Sequence, residues 1–306
     1  MLRRGGGGSR GPAQRSRHPR PGSVRRGLDR ETETRRSLRA RPADGPDRLR
    51  RGRSGAVAVV LVVWRDPPAS GPVNMAADEL LASRGETGGI AIRLYRWEAP
   101  TFSLGGFQRA DSAAWLADHG IPLVRRPSGG GGILHGGDLT YAAAVSREHP
   151  LGRSPQRFYD VLHAAMVKVL SPLGLAAGLH GGPAEGERPE GPLFCFDRRS
   201  VGDVVAGRHK LLGSAQRRLA AAVLQHGSLL LRRLDVPAEV ARHPGLEELL
   251  GRGIHADTLG LQWVRQVADD LGLPLEVRGE LLDRQAREAI VGRIAHFASD
   301  RWLRRR

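Results

Sequence analysis

The residue types best able to do chemistry in this 306-residue chain fall in three short segments. The first, Val124–Tyr141 (VRRPSGGGGILHGGDLTY), sets Arg125 and Arg126 at the end of an apolar run. Ser128, the glycines Gly129, Gly130, Gly131 and Gly132, and then His135 follow. Glycines at such a corner permit positive φ and let a ligand approach the backbone closely. Taken alone, the segment is equally a flexible hairpin loop. It is not a Walker phosphate loop, because no Gly-Lys-Ser/Thr follows, and it lacks the Gly-x-Gly-x-x-Gly spacing of a dinucleotide site.

The second segment, Gly207–Gln216 (GRHKLLGSAQ), puts Lys210 on an apolar strand three residues before Gly213-Ser214-Ala215. A lysine there either snorkels to water or, if partly buried, becomes a usable base or cation at an acyl centre. The third, Phe194-Cys195-Phe196, holds the only thiol. A lone Cys is most often a small buried hydrophobe, but a lysine ammonium beside it would favour the thiolate. One Cys excludes an intramolecular disulfide, a Cys-based zinc site and an iron–sulfur cluster.

The elements that must position these groups are legible from periodicity. Val73–Arg84 reads as a helix with Asn74 as N-cap, Ile90–Tyr95 as a strand, Ala110–Asp118 as a short helix and Pro122–Arg126 as a strand. Gln156–Leu173 is the clearest amphipathic helix, with Phe158, Leu162, Met166 and Val169 on one stripe and His163 at its flank. Ala176–Pro192, rich in Gly and Pro, reads as a loop. Ser200–Ala206, Lys210–Arg217 and Gln225–Leu231 read as antiparallel strands. From Pro237 onward the pattern is helical, over Asp257–Leu271 and Leu281–Phe297. Helices and strands interleave without regular βαβ spacing, so the expected class is α+β, a sheet with helices packed against it.

The net charge of +16 suggests a nucleic-acid partner until it is located along the chain. Residues 1–55 hold 17 Arg and 5 Asp+Glu, a net +12, and leave +4 for residues 56–306. With few large apolar side chains, residues 1–55 are expected to be a disordered tail. The tail reads first as a solvated extension, or a start codon assigned too far upstream. A second reading is non-specific binding to RNA or DNA, though no aromatic residue is present to stack on a base. A third is a transit peptide, against which its acids argue. The apolar run Ala56–Trp64 is about half the ~20 residues needed to span a membrane and reads as a buried first strand. The expectation is therefore a cytoplasmic protein with no membrane and no nucleic-acid partner, in which residues 56–306 form the folded part of the chain with a mainly helical end over 235–306.

Together the motifs resemble a known family. Arg125-Arg126-x-Ser128-Gly-Gly-Gly with His135 and Leu139-Thr140-Tyr141, then Lys210-x-x-Gly213-Ser214-Ala215-Gln216, then Leu224-Gln225-His226-Gly227, are similar to the lipoate–protein ligase/octanoyltransferase family. Asn74-Met75-Ala76-x-Asp78-Glu79 and Trp97-x-x-Pro100-x-x-Ser103-Leu104-Gly105-x-x-Gln108 match its N-terminal patterns. The resemblance is strong over residues 56–235 and weak beyond. It implies a biotin/lipoate protein ligase-type catalytic domain, a mixed and mainly antiparallel sheet flanked by helices, with an acyl tunnel beside the Arg-Arg/Gly loop.

What the resemblance implies for activity turns on Cys195. Cys-type octanoyltransferases carry Cys-Phe ahead of the lysine strand, as Cys195-Phe196 stands ahead of Lys210. ATP-dependent ligases make an acyl-adenylate and need no thiol. The implied reaction moves an octanoyl group from octanoyl-acyl carrier protein, through Cys195 with Lys210 as its partner, to a lysine of a lipoyl domain or of glycine cleavage protein H. Arg125, Arg126, Ser128, Gly129, Gly130, Gly131, His135, Gly213, Ser214 and Ala215 would bind substrate. No metal or cofactor is implied; ATP and Mg enter only under the ligase alternative. Ser128 stands where Thr is more usual, and Gly136-Gly137 where many relatives carry Asp.

Overall fold

The computed structural model describes residues 59–85, 89–182, 194–237 and 239–305. The expected tail over 1–55, the first residues of the run from Ala56 and most of the Gly/Pro loop lie outside the described residues. In chain order the elements are β1 (Leu61–Arg65), α1 (Gly71–Gly85), β2 (Ile90–Tyr95), β3 (Thr101–Leu104) and a 3-10 helix (Ala110–His119). Next come β4 (Leu123–Arg125), β5 (Ile133–His135), β6 (Asp138–Ser146), α2 (Pro150–Arg153), α3 (Pro155–Leu170) and β7 (Ala177–Leu179). A 3-10 turn at Cys195–Asp197 leads to β8 (Val204–Ala206), β9 (His209–Arg218) and β10 (Ala222–Leu230). The chain closes with α4 (Leu246–Leu250), α5 (Ala256–Leu271), β11 (Leu275–Val277), α6 (Arg284–Ala289), α7 (Val291–Ala298) and α8 (Asp300–Leu303).

Eight strands form one sheet in the order β11-β1-β2-β6-β10-β9-β8-β7, and β4-β3-β5 form a smaller one. In the large sheet β1 runs parallel to both β11 and β2, and every other pairing is antiparallel. Strand β6 (DLTYAAAVS) is buried along its whole length, which is why it carries no charge beyond Asp138 and is mostly apolar on both faces. On one face Leu94, Tyr141, Ala143 and Val145 meet Phe158, Leu162 and Met166 of α3 and Trp263 and Val267 of α5. Trp263 donates its indole N–H to Leu162 O at 2.8 Å, so the largest core side chain also ties the two helices together.

On the opposite face the small residues Ala142 and Ala144 of β6 let α1, with Ala76 and Ala77, pack close to the sheet. That approach carries Asn74 and Asp78 onto β2. Asn74 is therefore no N-cap: α1 starts at Gly71, and the Asn74 amide is buried, donating to Ala69 O at 3.0 Å and accepting from Arg93 at 2.8 Å. Three further elements differ from expectation. The helix over Leu281–Phe297 is broken at Ile290 into α6 and α7. The segment after Gly272, expected helical, extends the sheet as β11 by pairing with β1. β7 forms inside the expected loop by pairing with β8.

Candidate active site

Strand register brings the three chemical segments to one place. On the α1 face of the sheet, Gly213 of β9 lies opposite Ser228 of β10, and Ala215 opposite His226. Ser228 lies in turn opposite Thr140 of β6, which pairs with Tyr95 of β2. These residues floor a cleft of about 370 Å³, part of it open to solvent, roofed by Trp97, Ile133, His135, Arg126 and Gly130, with Cys195 at its edge.

Cys195 is held by the glycine loop. Its N–H donates to Gly132 O at 2.7 Å, and Phe194 bridges Gly132 in parallel fashion. A Cβ on Gly131 would stand 2.9 Å from Cys195 Cα, so the loop must be bare there for the two backbones to meet. Phe194 packs edge-on against Phe102 at 5.3 Å between ring centres, anchoring the turn beneath the half-buried thiol.

Lys210 reaches the thiol because β9 carries a bulge. Val204 pairs with Leu212, yet its neighbour Val205 pairs with Lys210, leaving Leu211 as an extra residue. One added residue changes which face a side chain takes, and so Lys210 shares the face of Gly213. Its Nζ lies 3.6 Å from Cys195 Sγ, 3.4 Å from Cys195 O, 3.2 Å from Arg198 O and 2.8 Å from Asp203 Oδ2. All four neighbours accept protons, so the surroundings fit an ammonium with three donors rather than an amine with a lone pair. Lys210 is 4 % exposed and Asp203 1 %.

The two arginines part company. Arg126 turns into the cleft wall, where Nη1 donates to Ser103 O and Oγ (2.7 and 2.6 Å) and Nη2 to Gly129 and Gly131 O (3.1 and 2.8 Å). Burial pushes its guanidinium below the usual value, and a Cys195 thiolate acts in the opposite direction. Arg125 points the other way: it donates to Leu303 O at 2.8 Å and to Gly105 and Gln108 O at 2.9 and 2.7 Å, fastening α8 and the 105–108 turn. It does not line the cleft.

Behind the cleft the polar groups form directed chains. Ser103 accepts from Arg126 and meets His135 Nε2 at 2.7 Å, while His135 Nδ1 faces Asp138 Oδ2 at 2.8 Å. Burial pushes His135 down and Asp138 pulls it partly back. Ser128 meets His226 Nδ1 at 2.9 Å. His226 Nε2 lies 3.0 Å from Asp78 Oδ2, a close charge contact off the line of a hydrogen bond. Burial alone would raise the Asp78 carboxyl; His226 and Arg93 overcome it and hold the group below its ordinary value. Arg93 also pairs with Asp66.

Of the residues singled out in the sequence, Cys195, Arg126, Gly130, His135, Gly213, Ser214 and Ala215 line the cleft. Lys210 sits at its edge beside the thiol, and Ser128, Gly129 and Gly131 shape the loop. His163 is no flank residue: it is fully buried, with Nδ1 2.7 Å from Gly202 O and Nε2 2.6 Å from the cleft-lining Ser214 Oγ. Asp203 carries no sequence signal: it sits inside a segment that reads simply as a strand, and nothing in its spacing marks it as a partner of Lys210. Among the described residues no group of three His, Cys, Asp or Glu could hold a metal ion.

The site thus sits in an α+β fold in which a glycine loop pins a thiol beside a buried lysine. Residues 70–237 match the model of the lipoyl protein ligase A/B catalytic domain, and the chain belongs to that family. It is 34% identical to octanoyltransferase LipM of Moorella thermoacetica, over 79% of this chain and 98% of that one. It is 35% identical to octanoyltransferase LipM of Kyrpidia tusciae, over 76% of this chain and 94% of that one. The fold is similar to that of a bi-partite lipoate protein ligase from Thermoplasma acidophilum (TM-score 0.60, 19% identity, 80% of this chain and 96% of that one).

Proposed function

We propose that the protein is an octanoyltransferase that moves an octanoyl group from octanoyl-acyl carrier protein, through a thioester on Cys195, to a lysine of a lipoyl domain or of glycine cleavage protein H. The observation that carries this reading is the sole thiol 3.6 Å from the Lys210 amine at the edge of a narrow cleft. The identity to octanoyltransferases across most of the chain supports it. A ligase would use Lys210 on an acyl-adenylate and has no need of a thiol in that position.

The steps balance without a nucleotide. Cys195 as thiolate attacks the carbonyl carbon of the donor thioester; the carrier's sulfur leaves and takes a proton from the Lys210 ammonium. Octanoyl-Cys195 and a neutral Lys210 remain. The acceptor's neutral amine then attacks the new thioester, an amide forms, Cys195 leaves as thiolate and Lys210 takes the proton from the attacking nitrogen. One thioester replaces another in the first step, and a more stable amide drives the second. Backbone amides of the glycine loop would donate to the carbonyl oxygen as charge develops on it, a contribution of ~3 kcal/mol per well-aimed donor. Arg126, whose Nη protons already serve Ser103, Gly129 and Gly131, holds that loop in place. Burying the acyl chain adds about 0.8 kcal/mol per methylene.

Among the described residues no helix is long and apolar enough to cross a membrane. A cytoplasmic location belongs to the same proposal, because the carrier and acceptor proteins it invokes must meet the enzyme there. The test is transfer from an octanoyl thioester to a purified lipoyl domain without ATP. Wild-type protein transfers and Cys195→Ala does not; full transfer by Cys195→Ala, or a strict need for ATP, overturns the reading.

A further inference from the structure

We propose that Asp203 is the positioning residue of this site, holding Lys210 charged and aimed at the Cys195 sulfur. The inference rests on the Cys195–Lys210 reading above and adds a third member to it. A lysine has four rotatable bonds and no fixed direction of its own, so something must hold Nζ at the thiol. Asp203 Oδ2 lies 2.8 Å from it. The carboxylate is itself fixed from two other elements. Ser200 N–H donates to Oδ2 at 2.6 Å, and the Tyr159 hydroxyl of α3 donates to Oδ1 at 2.9 Å. Asp203 follows Gly202, whose φ of +85° makes the tight turn that sends the carboxylate inward.

The charges facing this cluster leave one source of balance for the ammonium. From α3, burial pushes the His163 imidazole down to about 4, so it is neutral at ordinary pH, and burial with Asp203 pushes the Tyr159 phenol up, so it is neutral too. From the glycine loop Arg126 adds a positive charge. The other groups on Nζ are the carbonyls of Cys195 and Arg198. A buried ammonium without a counter-ion is costly, and Asp203 is the carboxylate in contact with it. With Asp203 and Arg198 O occupying two of its protons, the third points to Cys195. Remove the negative charge and Lys210 sheds its proton or swings away, and the thiol keeps its own.

The chain has one cysteine, so alkylation by iodoacetamide, followed by intact mass across a pH series, reads Cys195 alone. Asp203→Asn keeps the shape and an acceptor for Tyr159 but loses the charge. We expect its alkylation at neutral pH to fall at least ~10-fold, with the midpoint of the profile moved up by about one pH unit or more. Asp203→Glu, which keeps the charge, recovers part of the rate. Tyr159→Phe, which loosens Asp203 without removing it, carries the same test if Asp203→Asn does not fold: its rate falls by about two- to fivefold. A wild-type profile in folded Asp203→Asn, an Asp203→Glu variant as slow as Asp203→Asn, or an unchanged Tyr159→Phe overturns the proposal. Alkylation needs no acyl substrate, so this outcome is independent of the ATP-free transfer assay that decides the octanoyl reading.

Discussion

Gly213 lies directly beneath the end of the Lys210 side chain: a Cβ built at residue 213 would stand 2.6 Å from Nζ and closer still to Cε. The two residues share a face only because the extra Leu211 in β9 shifts the register between them. The spacing Lys210-x-x-Gly213 is therefore a packing requirement. The lysine lies flat over a position that must have no side chain, and that posture delivers its nitrogen to the thiol.

Gly213→Ala tests this directly. The colliding atoms belong to the far end of a flexible side chain, so the chain folds and the lysine moves. The expected result is a loss of at least ~10²-fold in acyl transfer, the size of effect seen when a reacting group is misplaced by about 1 Å. The melting temperature should change by only a few degrees.

Arg125 and Arg126 give opposite signatures. Arg125→Ala removes the guanidinium bonds to the carbonyls of Leu303, Gly105 and Gln108, Gly105 O keeping only the Gln108 N–H, and should cost about 3 kcal/mol of stability, with kcat/KM of the folded protein unchanged. Arg126→Lys cannot serve Ser103, Gly129 and Gly131 together, and should lower kcat/KM by ~10²-fold while the protein stays folded. Denaturant unfolding and steady-state kinetics on both variants separate the two roles.

His163 predicts an acid-sensitive window. Burial pushes its imidazole down to about 4, whereas an unfolded histidine titrates near 6.5. Between those values the unfolded chain binds a proton that the native state refuses. Stability therefore falls as pH falls, by at most about 1.4 kcal/mol per unit from this residue. Asp78 and Asp138, both held below the ordinary carboxylate value, stabilise the fold above about pH 4 and lose that contribution only at lower pH. His163→Gln should flatten the slope between pH 6.5 and 4, measured by urea unfolding at each pH, and leave the steeper acid limb in place.

The strands and main helices were legible because their apolar periods are set by burial on known faces. Ile90–Tyr95, the long strands either side of Ala222 and the stripe of α3 all follow from period-two or 3.6-residue patterns. The chemistry was legible in kind, since one thiol and one lysine stood out from a chain short of both. What alternation could not show is a bulge: from period two, Lys210 and Gly213 belong on opposite faces. Adjacent strand residues also point apart, so one of Arg125 and Arg126 had to leave the cleft, and only the packing of α8 shows which. Asn74 looked like a cap because its buried work, bonding Arg93 and Ala69 O, depends on how closely α1 sits on β6. β11 and Asp203 were invisible for a similar reason, being defined by partners far away in the chain or across a turn.

The most direct measurement is intact mass of the protein after brief incubation with octanoyl-acyl carrier protein and no acceptor. The account predicts a single octanoyl adduct, removed by hydroxylamine, mapping to the peptide that contains Cys195 and absent from Cys195→Ala. Transfer to a lipoyl domain that proceeds at the wild-type rate with no adduct ever forming on Cys195 would contradict it.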